Sequence, residues 1–273
     1  MDGRFAGKVA LVLGAGSIGP GWGNGKATAV LLAREGAGVF GVDRSAEALA
    51  ETAGIIEAEG GTFAGRAGDV TRVVEIDATA AACLERFGRI DVLVNNVGGS
   101  APGDPVAMAP EVWAGQLDQN LSYVFHSCKS VIPVMVAQGG GAIVNLASIA
   151  ALRFFGPDVV AYAAAKAGLI QFSRVTAVRY APQGVRINTV IPGLMNTPLV
   201  KARLVHERAD GDAERLIAAR HRQVPMGRMG DGWDVAQAVA FLASDAARYI
   251  TATELVVDGG LSATCVAPHP DAA

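Results

Sequence analysis

Short apolar runs rich in β-branched residues alternate along this chain with longer, Ala-rich stretches whose apolar positions return at helical spacing. That alternation is the rhythm of a parallel sheet whose strands are joined by crossover helices. The pattern predicts strands at Val9–Leu13, Gly38–Val42, Phe63–Gly68, Asp91–Asn95, Ala142–Leu146, Val185–Val190 and Glu254–Val257. Between them it predicts helices over Asn24–Glu35, stopped by Gly36, and from a Ser45 cap to Glu59. Further helices are expected over Thr71–Phe87, Glu111–Gln138 (one long helix), Ala161–Tyr180 and Asp231–Ser244. No Pro/Ser-rich linker interrupts this order and no internal repeat is present. Residues 1–273 are therefore expected to form a single α/β domain, a doubly wound, mainly parallel seven-stranded sheet with helices on both faces.

One stretch departs from the compact pattern. Thr197 to Gln223 is polar and carries six positive and four negative side chains. Such a segment between a strand and a helix reads as a surface helix pair or a mobile lid, and residues 194–223 are expected to cover the substrate. Residues 261–273, with Cys265 and two prolines, form a C-terminal tail that either reaches a neighbouring subunit or is loose.

Composition narrows the function classes. Apolar residues make up 51% of the 273, ample for a sizeable core. Charged residues are only 18%, and 23 Lys plus Arg against 26 Asp plus Glu leave a net charge of −3. That balance offers no general attraction for nucleic acid or an anionic membrane. No apolar run is long enough to span a bilayer, and the N-terminus lacks the layout of a signal peptide. Cys83, Cys128 and Cys265 are widely spaced and odd in number, so they suit a reducing cytoplasm rather than a disulfide framework. His126, His206, His221 and His269 are scattered, and no metal site is expected. The split of 18 Arg to 5 Lys, with abundant Ala and Gly, is the bias of a GC-rich bacterial genome.

The first strand runs into a turn of glycines, Gly14, Gly16, Gly19, Gly21, Gly23 and Gly25, before a helix begins. Strand, glycine turn and helix N-terminus together make a phosphate cradle, although a tight connection without a ligand would have the same sequence. Asp43 sharpens the case. It ends the second strand, where a carboxylate can accept hydrogen bonds from an adenosine ribose diol and repel a 2′-phosphate. NAD is therefore favoured, while Arg44 next door keeps NADP open as a phosphate partner.

Tyr162 and Lys166 are four apart in a helical stretch and share a face. An ammonium beside a phenol favours the phenolate and lowers its pKa from about 10. Tyr162 then becomes a proton donor and acceptor for an alcohol/ketone pair. Ser148 follows the fifth strand at the carboxyl edge of the sheet, where its hydroxyl could hold a substrate oxygen. A Tyr-x-x-x-Lys pair alone is weak, since an exposed helix pair has the same spacing.

Taken together these features resemble the short-chain dehydrogenase/reductases over essentially the full length. The resemblance rests on the turn from Gly14 through Ser17 to Gly23-Asn24-Gly25, on Asp43, and on Asp69-Val70 after the third strand. It continues with Asn95-Asn96-Val97-Gly98, similar to an Asn-Asn-Ala-Gly stretch, and with Asn120 in the long helix. Ser148 precedes Tyr162 by 14 residues, Tyr162 to Lys166 is the catalytic motif, and Pro192-Gly193 with Thr197 and then Asp258-Gly259-Gly260 complete the series. The resemblance implies a Rossmann fold and reversible hydride transfer between a secondary alcohol and its ketone. It implies Tyr162 as general acid/base, Lys166 lowering its pKa and binding the nicotinamide ribose, Ser148 polarising the substrate oxygen, and Asn120 holding a proton-relay water. It also implies a homotetramer that pairs the long helices containing Asn120 and Tyr162. The other expectations kept open are an NADP-dependent ketoacyl-type reductase and a dinucleotide-binding protein whose chemistry has lapsed.

The chain departs from that family at Leu13, where Thr is usual, at Val97, where Ala is usual, and in the turn, where Ile18 to Trp22 is a five-residue insertion. The longer turn resembles enoyl-acyl-carrier reductases of the same superfamily. Their Tyr and Lys stand further apart, so the spacing here argues for carbonyl chemistry. Trp22 packs either on the adenine side or over the inserted turn, the latter favoured. Between Ser148 and Tyr162, Phe154 and Phe155 suggest a pocket for a ring, and Arg153 reads as solvent-facing rather than as a carboxylate partner. Met195 and Leu199 are expected to close over the substrate.

Overall fold

The structure is a computed structural model that describes residues 3–200, 202 and 212–265. Seven strands are present: β1 (Val9–Leu13), β2 (Gly38–Asp43), β3 (Thr62–Ala67), β4 (Val92–Asn95), β5 (Gly141–Leu146), β6 (Val185–Pro192) and β7 (Glu254–Val257). They lie in the order β3-β2-β1-β4-β5-β6-β7, and every pairing is parallel, so the sheet is wholly rather than mainly parallel. β1 pairs with β2 on one side and β4 on the other, Leu13 meeting Val42 and Asn95. Strand order reverses there, and the crevice past the carboxyl ends at such a switch is where open α/β sheets bind ligands.

The helices are α1 (Asn24–Arg34), α2 (Ala46–Ala58), α3 (Val73–Phe87), α4 (Pro110–Leu117), α5 (Tyr123–Ala137), α6 (Val160–Tyr180), α7 (Ala213–Gln223) and α8 (Gly232–Ala243). Alternation along β1 sorts them onto two faces. Ala10 and Val12 pack with Val30 and Leu32 of α1, Leu49 of α2 and Val239 of α8. Val9, Leu11 and Leu13 pack with Ile76 of α3, Val131 of α5 and Leu169 of α6. The central strands thus bury side chains on both faces, as parallel sheets require, while the edge strands β3 and β7 are only half-buried or exposed. Buried amides sew the centre together: Asn95 donates to Asn145 Oδ1, Asn145 to Ser173 Oγ, and Ser127 to Asn95 Oδ1, each at 2.8 Å.

Two predicted boundaries move for identifiable reasons. The single long helix over 111–138 is in fact α4 and α5 separated by a π-helical turn, Asp118–Ser122. Within it Asn120 Nδ2 donates to the Gln116 carbonyl at 2.9 Å, the acceptor that the backbone N–H of residue 120 would use in a regular α-helix. The third helix begins at Val73 because the Asp69 carboxylate holds the Thr71 amide and hydroxyl at 3.0 and 2.8 Å, closing a turn first. Among the described residues no helix is long and apolar enough to cross a membrane, and no cluster could hold a metal ion. His206, His269, part of the 194–223 lid and the end of the 261–273 tail lie outside the described residues.

Candidate active site

The glycine turn is built by close approach. Gly14 adopts φ +84° as the chain leaves β1, and its amide and that of Ala15 donate to the Val42 carbonyl at 2.7 and 2.9 Å. A side chain at Gly25 would collide with the Gly14 carbonyl oxygen and with the Asn96 amide that donates to it. A Cβ at Gly16 would fall 2.8 Å from Ala48 and 2.9 Å from the Asp43 carboxylate. Gly14, Gly16 and Gly25 thus require glycine, and they open the start of α1 to a ligand.

The inserted residues do a different job. Gly21 lies against Pro198, and the Trp22 ring sits 4.6 Å from the Trp233 ring. Lys26, buried and paired with Glu51 at 2.6 Å, lies 5.0 Å from the Trp22 centroid. Trp22 therefore clamps the insertion to α8 and lines neither cavity.

Every dinucleotide contact expected from the sequence lines one of two adjoining cavities. Gly14, Gly16, Ser17, Gly23, Gly25, Asp43, Arg44, Asp69, Val70 and Val97 line a cleft of about 400 Å³. Tyr162, Lys166, Pro192 and Gly193 line a second of about 180 Å³, and Asn24, Asn96, Gly98 and Thr197 border both. Side by side, the two cavities reach from the acidic end of β2 to the Tyr162 helix. Asp43 accepts the amides of Gly16 and Ser45 at 2.9 and 3.1 Å, so its carboxylate is fixed at the cleft wall. Against a desolvation that raises it, the Thr71 hydrogen bonds and the charges of Arg44 and Arg72 hold the Asp69 carboxyl below its usual range.

In the smaller cavity Ser148, Tyr162 and Lys166 come together. Ser148 begins a short 3-10 turn (Ile149–Ala151), and its Oγ accepts the Ala150 amide at 3.2 Å. Lys166 Nζ lies 5.9 Å from the Tyr162 ring centroid, as their shared helix face predicts, and donates to the Leu146 carbonyl at 2.7 Å. Burial lowers the Lys166 pKa to about 7, because the apolar surroundings disfavour its charged form.

Asn120 is fully buried and lines neither cavity. Its amide exchanges hydrogen bonds with the Gly99 backbone, both at 3.1 Å, besides the bond to Gln116. A Cβ on Gly98 would stand 2.9 Å from Asn120 Oδ1 and 3.0 Å from Lys166 Nζ, so the two polar groups converge behind that glycine.

Of the residues between Ser148 and Tyr162, Phe155 lines the cavity while Phe154 is 79% exposed and does not. The suggestion of a two-ring wall reduces to Phe155. Arg153 is exposed, its guanidinium donating to the carbonyls of Leu152 and Ser262. Met195 and Leu199 border the cavity. Sequence reasoning missed Arg220, a buried side chain on the same wall. Nothing in the sequence marks it among the six cations of its segment.

Comparison with known proteins agrees with this geometry. Residues 19–262 match the family model described as enoyl-(acyl carrier protein) reductase. The chain is 37% identical over 260 residues to cyclohexanol dehydrogenase of Acinetobacter sp., covering 95% of this chain and 96% of that protein. It is also 37% identical over 260 residues to a 3-oxoacyl-[acyl-carrier-protein] reductase of Thermotoga maritima, covering 94% and 99%. A solved structure from Burkholderia xenovorans, described as a short-chain dehydrogenase/reductase, superposes with a TM-score of 0.93 at 52% identity, covering 97% and 100%. A wholly parallel sheet with a glycine cradle at its switch point and a Ser-Tyr-Lys cavity beside it defines a dinucleotide-dependent oxidoreductase. The chain belongs to the short-chain dehydrogenase/reductase family.

Proposed function

We propose that this protein is an NAD-dependent oxidoreductase that interconverts a secondary alcohol and its ketone, with Tyr162 as the general acid/base. The observation that carries the reading is that the two cavities share Asn24, Asn96, Gly98 and Thr197 as walls, with Asp43 lining one and Ser148, Tyr162 and Lys166 the other. The cradle fits a dinucleotide: Gly14, Gly16 and Gly25 leave no room for side chains and aim the start of α1 at the cleft. Gly14, Gly16, Ser17, Asn24 and Gly25 would hold the pyrophosphate, Asp43 the adenosine ribose, and Lys166 the nicotinamide ribose. When bound, the nicotinamide supplies the hydride acceptor or donor.

The chain's own residues manage the proton and the oxygen. The Ser148 hydroxyl, oriented by the Ala150 amide, turns its hydrogen toward the substrate oxygen. Tyr162 takes the hydroxyl proton in oxidation and returns it in reduction. Lys166, held by the Leu146 carbonyl, places its amino group beside that ring, charged below its pKa of about 7. Asn120 acts through position, fixing Gly98-Gly99 between Lys166 and the cleft.

Ile149, Phe155, Leu194 and Met195 make the wall of the smaller cavity apolar, which suits a ring or short chain, and the relative named for cyclohexanol supports that class. A second reading is an NADP-dependent ketoacyl-type reductase, favoured by Arg44 on the cleft wall beside Asp43 and by the relative named for 3-oxoacyl chemistry. Equilibrium binding of NAD and NADP, followed by fluorescence, separates the two: tighter NAD binding supports the first and tighter NADP binding the second.

A further inference from the structure

The small cavity has a polar wall that hydride transfer does not use. Arg220, 9% exposed, lines it from the last turn of α7, a helix whose other residues are exposed or half-buried. Two features fix which face of α7 turns inward. His221 Nδ1 accepts the Met229 amide at 2.9 Å, tying the helix end to the loop that follows. Ile217 and Phe155 pack on Leu194, Val224 and Met229 in a small apolar cluster beside the cavity.

A guanidinium stays charged at any pH an enzyme meets, and burying it is costly unless acceptors surround it. Its five N–H donors can serve a protein partner and a molecule in the cavity together. The planar fork matches a carboxylate better than a neutral oxygen. A cavity of about 180 Å³, bordered at its other side by the dinucleotide cleft, admits only a compact molecule.

We propose that Arg220 is a substrate-recognising residue and that the substrate class is a compact alcohol or ketone bearing a carboxylate away from the reacting carbon. The proposal deepens the hydride-transfer reading and rests on it. Ser148 and Tyr162 hold the reacting oxygen, Ile149 and Phe155 cover the apolar middle, and Arg220 pairs with the carboxylate.

The test compares cyclohexanol with hydroxycyclohexanecarboxylates of the same ring, using wild type, Arg220→Met and Arg222→Met, each with NAD and with NADP. Arg222 is exposed on the same helix and serves as the control. A readout independent of turnover is calorimetric titration of cyclohexanecarboxylate into enzyme saturated with NADH or NADPH. The expected result is a carboxylate preference in kcat/KM of about tenfold or more, as for a site built to bond a polar group. Arg220→Met should erase it chiefly through KM and weaken cyclohexanecarboxylate binding by a similar factor, while Arg222→Met keeps both. No preference in wild type, or an equal loss on both substrates in Arg220→Met, overturns the proposal while alcohol turnover upholds the hydride-transfer reading. Binding that depends on Arg220 in an enzyme that turns over no alcohol or ketone supports the anion site and refutes the hydride-transfer reading instead.

Discussion

The Asp43 carboxylate accepts the Gly16 amide at 2.9 Å, so the residue that closes the glycine turn is also the one that meets the far end of the dinucleotide cleft. Asp43→Asn keeps an acceptor oxygen for that amide and removes the charge. The expected outcome is a loss of about tenfold in the preference for NAD over NADP, about 1.4 kcal/mol, with Arg44 then available to a 2′-phosphate. Titration of both dinucleotides into wild type and variant measures it. An unchanged ratio would mean that Asp43 is only a turn residue.

Gly98 touches the site from behind. Gly98→Ala places a methyl 2.9 Å from Asn120 Oδ1 and 3.0 Å from Lys166 Nζ, and one of them has to move. The expected effect is a fall in kcat of about tenfold or more with an intact fold, since small misplacements at a reacting centre are costly. Steady-state kinetics together with far-ultraviolet circular dichroism check this. Full activity would show that the Asn120–Gly98–Lys166 packing is slack.

Lys166 predicts a pH dependence of stability. Its folded pKa of about 7 lies below the ordinary 10.5, so between those values the unfolded chain binds a proton that the folded chain has released. Stability of the dinucleotide-free protein should therefore rise through that window, with the full cost of burying the charge present below it. Lys166→Met should lack this component. Thermal melts at about pH 6 and about pH 9 give the difference: a larger rise in wild type supports the account, and equal rises contradict it.

Assembly gives a further prediction. Val112 and Trp113 of α4 and Phe125 of α5 are exposed, as are Val175 and Val178 of α6, the helices expected to pair copies of this chain. If copies pair there, Val175→Glu with Val178→Glu should lower the mass in sedimentation equilibrium. An unchanged mass would place the assembly surface elsewhere or make the protein monomeric.

Much of this was legible in the sequence because the sheet is regular. Short apolar β-branched runs between stretches of helical period located all seven strands to within a residue or two, and the spacing of Ser148, Tyr162 and Lys166 brought them to one cavity. What was not legible depends on side chains competing for backbone groups or on distant partners. The break at Asn120 comes from its amide taking the Gln116 carbonyl, which no periodicity reveals. The placement of Trp22 depends on Trp233, more than two hundred residues away in sequence. Phe154 and Phe155 are adjacent and alike, and only the fold decides that one faces the cavity and the other solvent. Arg220 is hidden for the same reason.

The most direct test of the central claim is dinucleotide reduction by absorbance on a panel of cyclic and linear secondary alcohols, for wild type and Tyr162→Phe, with NAD and with NADP. Proton transfer by a positioned side chain contributes about 10²–10⁴-fold. Reduction of NAD by wild type, falling by that order in Tyr162→Phe while NAD binding persists, is the predicted result. Equal turnover in the two proteins would contradict it, because the proton would then leave by another route than Tyr162.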